Sequence, residues 1–122
     1  MILEPQSIID EIRKRGMELV AAGERVFKKC SACHQVGSNA KNRSGPQLNG
    51  IVGRTAGAVE GFRYSGAMEE AGADGLVWDH ESLAGFLADP RAYLKGTKMS
   101  FAGLKKDADL EAIIAYLSSV GE

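Results

Sequence analysis

Residues 28–37 read KKCSACHQVG. This stretch holds both cysteines of the chain, Cys30 and Cys33, with His34 directly behind them, while the other histidine, His80, lies far along the sequence. Four chemistries compete for two thiols at this spacing. A disulfide would close a minimal loop and so gain little stability. A thioredoxin-like redox pair needs a βαβ setting, and no strand-like alternation flanks these cysteines. A structural zinc site needs four ligands, whereas only three thiol or imidazole groups sit here. His80 stands among Asp79, Glu81 and Ser82, which read as a helix start and leave its imidazole a plain surface role. The fourth reading is covalent haem, for which C-x-x-C-H is the attachment signature. On a helical turn the two thiols reach the two vinyl groups along one edge of the macrocycle, and the adjacent imidazole is delivered to the iron.

The rest of the chain suits a small haem wrapper. Its 122 residues fit one domain, and 44% hydrophobic with 25% charged residues is an ordinary globular balance. A core this small gains from enclosing a large apolar ligand. A net charge of −1 gives little support to nucleic-acid binding. No run of about 18 apolar residues exists that could span a membrane. The N-terminal stretch MILEPQSIIDEIRKRG has no continuous apolar segment of the kind a signal peptide carries. The expectation is therefore an export segment removed before the numbering begins, or an excised domain.

The pattern along the chain is helical at both ends and irregular between. Ser7, followed three residues later by Asp10, resembles a capping box ahead of Ile8, Ile9 and Ile12 on one face. Gly16 is expected to end or bend that helix, and a second helical pattern runs from about Leu19 to Cys30. So short a helix is not stable alone, so residues 7–15 either pack on the core through Ile8, Ile9 and Ile12 or fray as a linker; packing is the expectation, because a linker has little use for three isoleucines. Residues 37–66 contain Gly37, Gly45, Pro46, Gly50, Gly53, Gly57, Gly61 and Gly66, which argues for loops. A loop this long in a compact domain needs an organiser, and a bound cofactor is the obvious one. Short helices are expected at about 65–72 and at 80–88, the latter with Leu83, Phe86 and Leu87 as its apolar stripe and Asp89-Pro90 as its end. Residues 95–103, KGTKMSFAG, read as loop. A last helix follows, capped by Asp107 or Asp109, with Leu110, Ile113, Ile114 and Leu117 buried and Gly121 as terminator.

A sixth iron ligand is also suggested by the residues. Met1, Met17, Met68, Met99 and His80 are the candidates. A core methionine ordinarily sits on the apolar face of a helix, but Met99 is presented from a Gly-flanked loop. A thioether suits low-spin iron and raises its reduction potential. With both axial positions filled, electron transfer is favoured over oxygen chemistry.

These features resemble the class I cytochromes c, of the mitochondrial type and its bacterial counterparts. The resemblance spans roughly residues 19–122 and rests on KCSACH, GPQLNGIVGRTAG, GFRYSGAM, the lone Trp78, FLADPRAYLKGTKMSFAGL and the late AYL. It implies an all-α fold of several short helices and long Gly-rich loops around one haem c, with residues 1–18 as an N-terminal extension. It implies thioether bonds from Cys30 and Cys33, and axial ligation by His34 and Met99. The Pro46 carbonyl would accept a hydrogen bond from the imidazole. Arg54, Tyr64, Trp78 and Thr97 would hold the propionates, and Phe101 would cover the haem edge. The first helix, through Gly23 and Phe27, would cross the last, through Ile113 and Tyr116. Three positions depart from the mitochondrial pattern: Phe86 stands for a common Tyr, Met68 for Asn, and Lys95 for Pro. The first two remove polar groups from the network near the methionine ligand, and the third should loosen its loop.

The function so implied is a monohaem carrier passing single electrons between respiratory or photosynthetic partners, located in the periplasm or the mitochondrial intermembrane space, and monomeric. The alternatives are the haem-bearing head of a larger anchored or fused protein and, from another class, a haem peroxidase. The latter needs an open coordination position and acid–base groups beside it. Charge order adds a docking expectation. Lys28, Lys29, Lys41 and Arg43 fall in an acid-free block, as do Arg91, Lys95, Lys98, Lys105 and Lys106, and these two blocks carry His34 and Met99. Acids dominate residues 64–90 and 107–122. A positive face around the haem edge would select redox partners with acidic docking surfaces.

Overall fold

The computed structural model describes residues 5–120. Five helices follow in order: α1 (Pro5–Phe27), α2 (Gly66–Ala73), α3 (His80–Ala88), α4 (Pro90–Tyr93) and α5 (Asp107–Ser119). Among the described residues no strand forms; one isolated antiparallel bridge joins Thr55 to Val77. The architecture is the expected all-α one.

The crossing of α1 and α5 organises the molecule. Gly23 lies buried in α1 at the contact, where a Cβ would strike the Ala112 carbonyl and come within 2.5 Å of the Tyr116 Cβ. Only glycine permits so close an approach of two backbones. One turn later Phe27 meets Tyr116, their ring centroids 5.3 Å apart at 47°. Ala112, Ile113 and Leu117 form the buried stripe of α5, and α3 adds Leu83, Phe86 and Leu87. Each fully buried large apolar side chain stabilises the fold by about 1.5–3 kcal/mol. Trp78, from the segment just before α3, packs on Phe86 with 5.1 Å between ring centroids and completes this core.

Several local details differ from the expectations. Gly16 does not end α1, which runs unbroken from Pro5 to Phe27. A single glycine costs a helix about 1 kcal/mol, which good helix formers on either side absorb. Ser7 is consequently no cap, since Pro5 and Gln6 are already helical, and the Gln6 amide donates to Asp10 instead. Ile8, Ile9 and Ile12 do not pack on the core; they are 45%, 42% and 63% exposed. The contact with α5 is made further along, at Gly23 and Phe27. Asp89 does end α3, but its carboxylate also accepts from the Ala92 N–H and starts α4, a short helix the sequence pattern had not suggested. Neither Asp107 nor Asp109 caps α5: Lys106 holds that position without a side-chain bond, and both acids lie in the first turn, where they complement the helix dipole. The expected terminator Gly121 lies outside the described residues. At α3 the expected start is realised, with the Asp79 carboxylate accepting from the Ser82 N–H and the Ser82 hydroxyl accepting from the Asp79 N–H.

Candidate haem site

The C-x-x-C-H segment prolongs α1 as helical turns. The Cys30 and Ser31 N–H groups donate to the Phe27 carbonyl, and those of Cys33 and His34 donate to the Cys30 carbonyl. On this winding Cys30 and His34 are half-buried and Cys33 is exposed. Burial pushes the Cys30 thiol above its ordinary pKa; neighbouring Cys33 adds to the rise, and Lys29 opposes it. The side chain is thus kept as a protonated thiol rather than a charged thiolate.

His34 is held from two sides. Its Nδ1 donates to the Pro46 carbonyl oxygen at 2.8 Å, which places the ring proton on Nδ1 and leaves the Nε2 lone pair free. Gly45 lies flat against the ring, where a Cβ would approach Nδ1 to 2.6 Å and Nε2 to 2.8 Å. Burial lowers the imidazole pKa, the Pro46 bond partly countering it, so the ring is neutral at physiological pH. A neutral, oriented imidazole with a free Nε2 is the form that binds a metal, and a carbonyl on its other nitrogen fixes the ring and raises its basicity. The donor set therefore fits a c-type haem: two thiols on one turn and one imidazole aimed by its neighbours.

The glycine-rich segment presents Gly45 and Pro46 through side-chain clasps. The Gly45 N–H donates to the Cys33 carbonyl, and the Leu48 N–H to that of Gln35. Asn49 and Gly37 exchange two hydrogen bonds, both 2.8 Å. Asn42 accepts from the Gln47 N–H and donates to the Glu60 carbonyl. Arg54 donates to the carbonyls of Gln47 and Asn49. Much of what the sequence assigned to a cofactor, the ordering of this long loop, is done by these amides and this guanidinium. Sequence reasoning missed Gly45, Asn42, Gln47 and Asn49. The GPQLNG stretch held the signal for three of them, since it sets a glycine directly before Pro46 and two amide side chains directly behind it.

The expected propionate donors are brought together by the chain itself. The backbone N–H of Trp78 donates to the Arg54 carbonyl, and the Gly53 backbone N–H to the Trp78 carbonyl. Trp78 is buried at 5% exposure, while Arg54 and Tyr64 are half-buried. Burial lowers the Arg54 pKa and nearby Tyr64 opposes the shift, leaving the guanidinium charged. The Tyr64 hydroxyl also accepts from the Val59 N–H. Lys98 reaches the Tyr64 carbonyl at 3.5 Å, so the loop bearing Met99 is tied to the same region. Within that loop the Thr97 hydroxyl accepts from the Met99 N–H. Met99 and Phe101 are half-buried against the hydrophobic core, as are Cys30, Leu48 and Met68. His80 is exposed at the start of α3, with Nε2 3.3 Å from the Ser118 hydroxyl, in keeping with the surface role expected of it. A surface cleft of about 600 Å³ is lined by Lys41, Asn42, Gln47, Asn49 and Arg54 among others, and not by Cys30, His34 or Met99.

A short-helix bundle with a turn-borne Cys-x-x-Cys-His and a carbonyl-anchored imidazole defines a c-type haem protein. The profile of the Cytochrome c family matches residues 20–121. The chain belongs to that family. It is 55% identical over 102 residues to cytochrome c2 of Afifella marina, which covers 84% of this chain and 82% of that protein. It is 50% identical over 99 residues to cytochrome c-550 of Ancylobacter novellus, covering 81% and 92%. The solved structure of cytochrome c2 from Rhodospirillum centenum superposes with a TM-score of 0.80 at 39% identity, covering 84% of this chain and 98% of that one. The protein is a monohaem electron-transfer cytochrome, and its cofactor is one covalent haem c at the Cys30-x-x-Cys33-His34 turn. Among the described residues no helix is long and apolar enough to cross a membrane.

Proposed function

We propose that residues 19–122 form the cytochrome domain, that residues 1–18 are an extension to it, and that the protein is a periplasmic single-electron carrier without catalytic residues of its own. Cys30 and Cys33 would hold the haem through thioether bonds, His34 through Nε2 and Met99 from its loop would bind the iron, Arg54, Tyr64, Trp78 and Thr97 would donate toward the propionates, and Phe101 would shield the haem edge. The observation that carries this reading is the 2.8 Å bond from His34 Nδ1 to the Pro46 carbonyl, made with Gly45 against the ring.

The bound haem supplies a one-electron redox couple, and the protein supplies ligation, burial and a docking face. The Pro46 carbonyl and Gly45 hold the imidazole in one orientation, so little rearrangement accompanies a change of charge. Arg54 stays positive and compensates nearby carboxylate charge. The basic residues of the two blocks, Lys28, Lys29, Lys41, Arg43, Arg91, Lys95, Lys98, Lys105 and Lys106, are all exposed and steer acidic partner surfaces toward the haem edge.

The test is ligation. Met99→Ala should retain covalent haem by mass, lose the sulfur-to-iron charge-transfer band of the oxidised spectrum, bind added imidazole, and show a lower reduction potential. Persistence of the sulfur band would assign the ligand to Met68 or another sulfur and overturn the Met99 assignment.

A further inference from the structure

The loop that bears Met99, residues 95–102, begins and ends on one corner of the molecule. Only Asp89 separates the end of α3 from the start of α4. The chain leaves that corner through α4, where the Leu94 N–H donates to the Pro90 carbonyl at 2.9 Å and the Thr97 N–H to the Leu94 carbonyl at 3.2 Å. It returns through residues 103–105, which land on the C-terminal end of α3. The Leu104 N–H donates to the Leu87 carbonyl at 2.8 Å. The Lys105 ammonium donates to the Ala88 carbonyl, also at 2.8 Å.

The last carbonyls of a helix have no partner within it, and the returning segment takes the final two of α3. The α3 sequence, HESLAGFLA, brings no base to its own last turn, and the residue after it is an acid, Asp89. A cation is favourable at that negative end of the helix dipole, and Lys105 delivers one from seventeen residues along the chain. Gly103 permits the approach. Its φ is +112°, and a Cβ there would collide with the Ala88 carbonyl and stand 3.1 Å from the Lys105 Nζ. Leu104, between the two, is buried at 3% exposure. Glycine thus lets the backbone in, leucine plugs the core, and lysine closes the contact from the solvent side. The next residue, Lys106, makes no side-chain bond at the start of α5.

We propose that Lys105 is a positioning residue for Met99: its bond to the Ala88 carbonyl clasps the returning arm of the loop to α3 and so holds the thioether in place. The proposal rests on the reading of Met99 as an axial ligand. It also separates Lys105 from the other exposed lysines. Steering a partner needs only positive charge on the right face, whereas the clasp needs a donor at this one point. An added ligand can take the place of Met99 only in molecules whose loop has swung away. Its apparent affinity therefore rises in proportion to the released fraction. Loss of one hydrogen bond of ordinary strength raises that fraction about fivefold. The α4 end of the loop stays fastened throughout, so the change is confined to the arm that residues 103–105 hold.

The experiment is titration of the oxidised, haem-loaded full chain with imidazole, followed through loss of the sulfur-to-iron charge-transfer band. Lys105→Ala should lower the apparent Kd for imidazole about fivefold. Lys105→Arg keeps a cationic donor and should stay within about twofold of wild type. Lys106→Ala removes the same charge one residue on and so measures the effect of charge alone. Equal affinities in Lys105→Ala and Lys106→Ala overturn the proposal. So does a Lys105→Ala protein that melts earlier but binds imidazole as wild type does, since the contact then only stabilises the fold. A failure of Lys105→Arg to restore the wild-type affinity overturns it as well. Persistence of the sulfur band in Met99→Ala overturns the ligand assignment and the clasp together. Loss of that band in Met99→Ala, with no effect of Lys105→Ala, overturns the clasp alone.

Discussion

Gly23→Ala tests the helix crossing on which the fold depends. The added Cβ would stand 2.5 Å from the Tyr116 Cβ and 2.8 Å from the Ala112 carbonyl carbon, with the Ala112 oxygen nearer still. Carbon atoms in contact prefer about 3.5–4.0 Å, so α1 and α5 must separate by roughly 1 Å. No rotamer relieves the collision, because the atoms struck are backbone and a Cβ. Overpacking of this kind costs about 3 kcal/mol, at the upper end of the usual range. The gain in helix propensity from glycine to alanine offsets about 1 kcal/mol, leaving a net loss of about 2 kcal/mol. At about 4 °C per kcal/mol for a domain of this size, Tm should fall by roughly 8 °C. The assay is thermal unfolding of the haem-loaded protein followed by far-UV circular dichroism, at a protein concentration of a few micromolar. Gly16→Ala is the matched control: the same change two turns earlier meets nothing within 4 Å, so Tm should hold or rise. A Tm for Gly23→Ala within about 1 °C of wild type would refute the reasoning, because it would mean that the crossing relaxes without cost.

Gly45→Ala should push a Cβ into the His34 ring, break the Pro46 bond, destabilise by about 1–3 kcal/mol and change the oxidised absorption spectrum; an unaltered spectrum and melt would count against the anchored-imidazole account. The Asp79 carboxylate is held below its usual pKa by hydrogen bonds from the Ser82 backbone and side chain. Because its folded pKa is depressed, its stabilisation is complete above about pH 4, the unfolded value, and fades as pH falls through the folded value. Asp79→Asn keeps a capping side chain but cannot titrate, so its Tm should depend less on pH below about pH 4; parallel acid profiles would contradict this. Electron-transfer rates with an acidic partner should fall steeply as salt rises, and Lys98→Glu should slow them at low salt, whereas Glu70→Lys should change little. A rate flat in ionic strength would point to apolar docking.

The haem turn, the helix over 80–88, the final helix and the loop character of residues 37–66 were all legible in the sequence. Each rests on local chemistry: an attachment spacing, a 3.6-residue apolar period or a density of glycine. Cys30, Cys33 and His34 announce themselves because three scarce side chains occupy five positions. The Gly-flanked loop pointed to Met99, and family resemblance extended the expectation to Pro46, Arg54, Tyr64, Trp78, Thr97 and Phe101, because ordered motifs encode contacts between distant segments. Tertiary structure alone decided the rest. It made Gly45 the seat of the imidazole and gave Asn42, Gln47 and Asn49 the task of binding the long loop, since both depend on which backbone groups come within reach. It also continued α1 through Gly16 and left Ile8, Ile9 and Ile12 in solvent. An apolar stripe specifies that a face is fit for burial, but only the direction of the helix and the length of its neighbour determine whether anything in the same chain lies there to bury it.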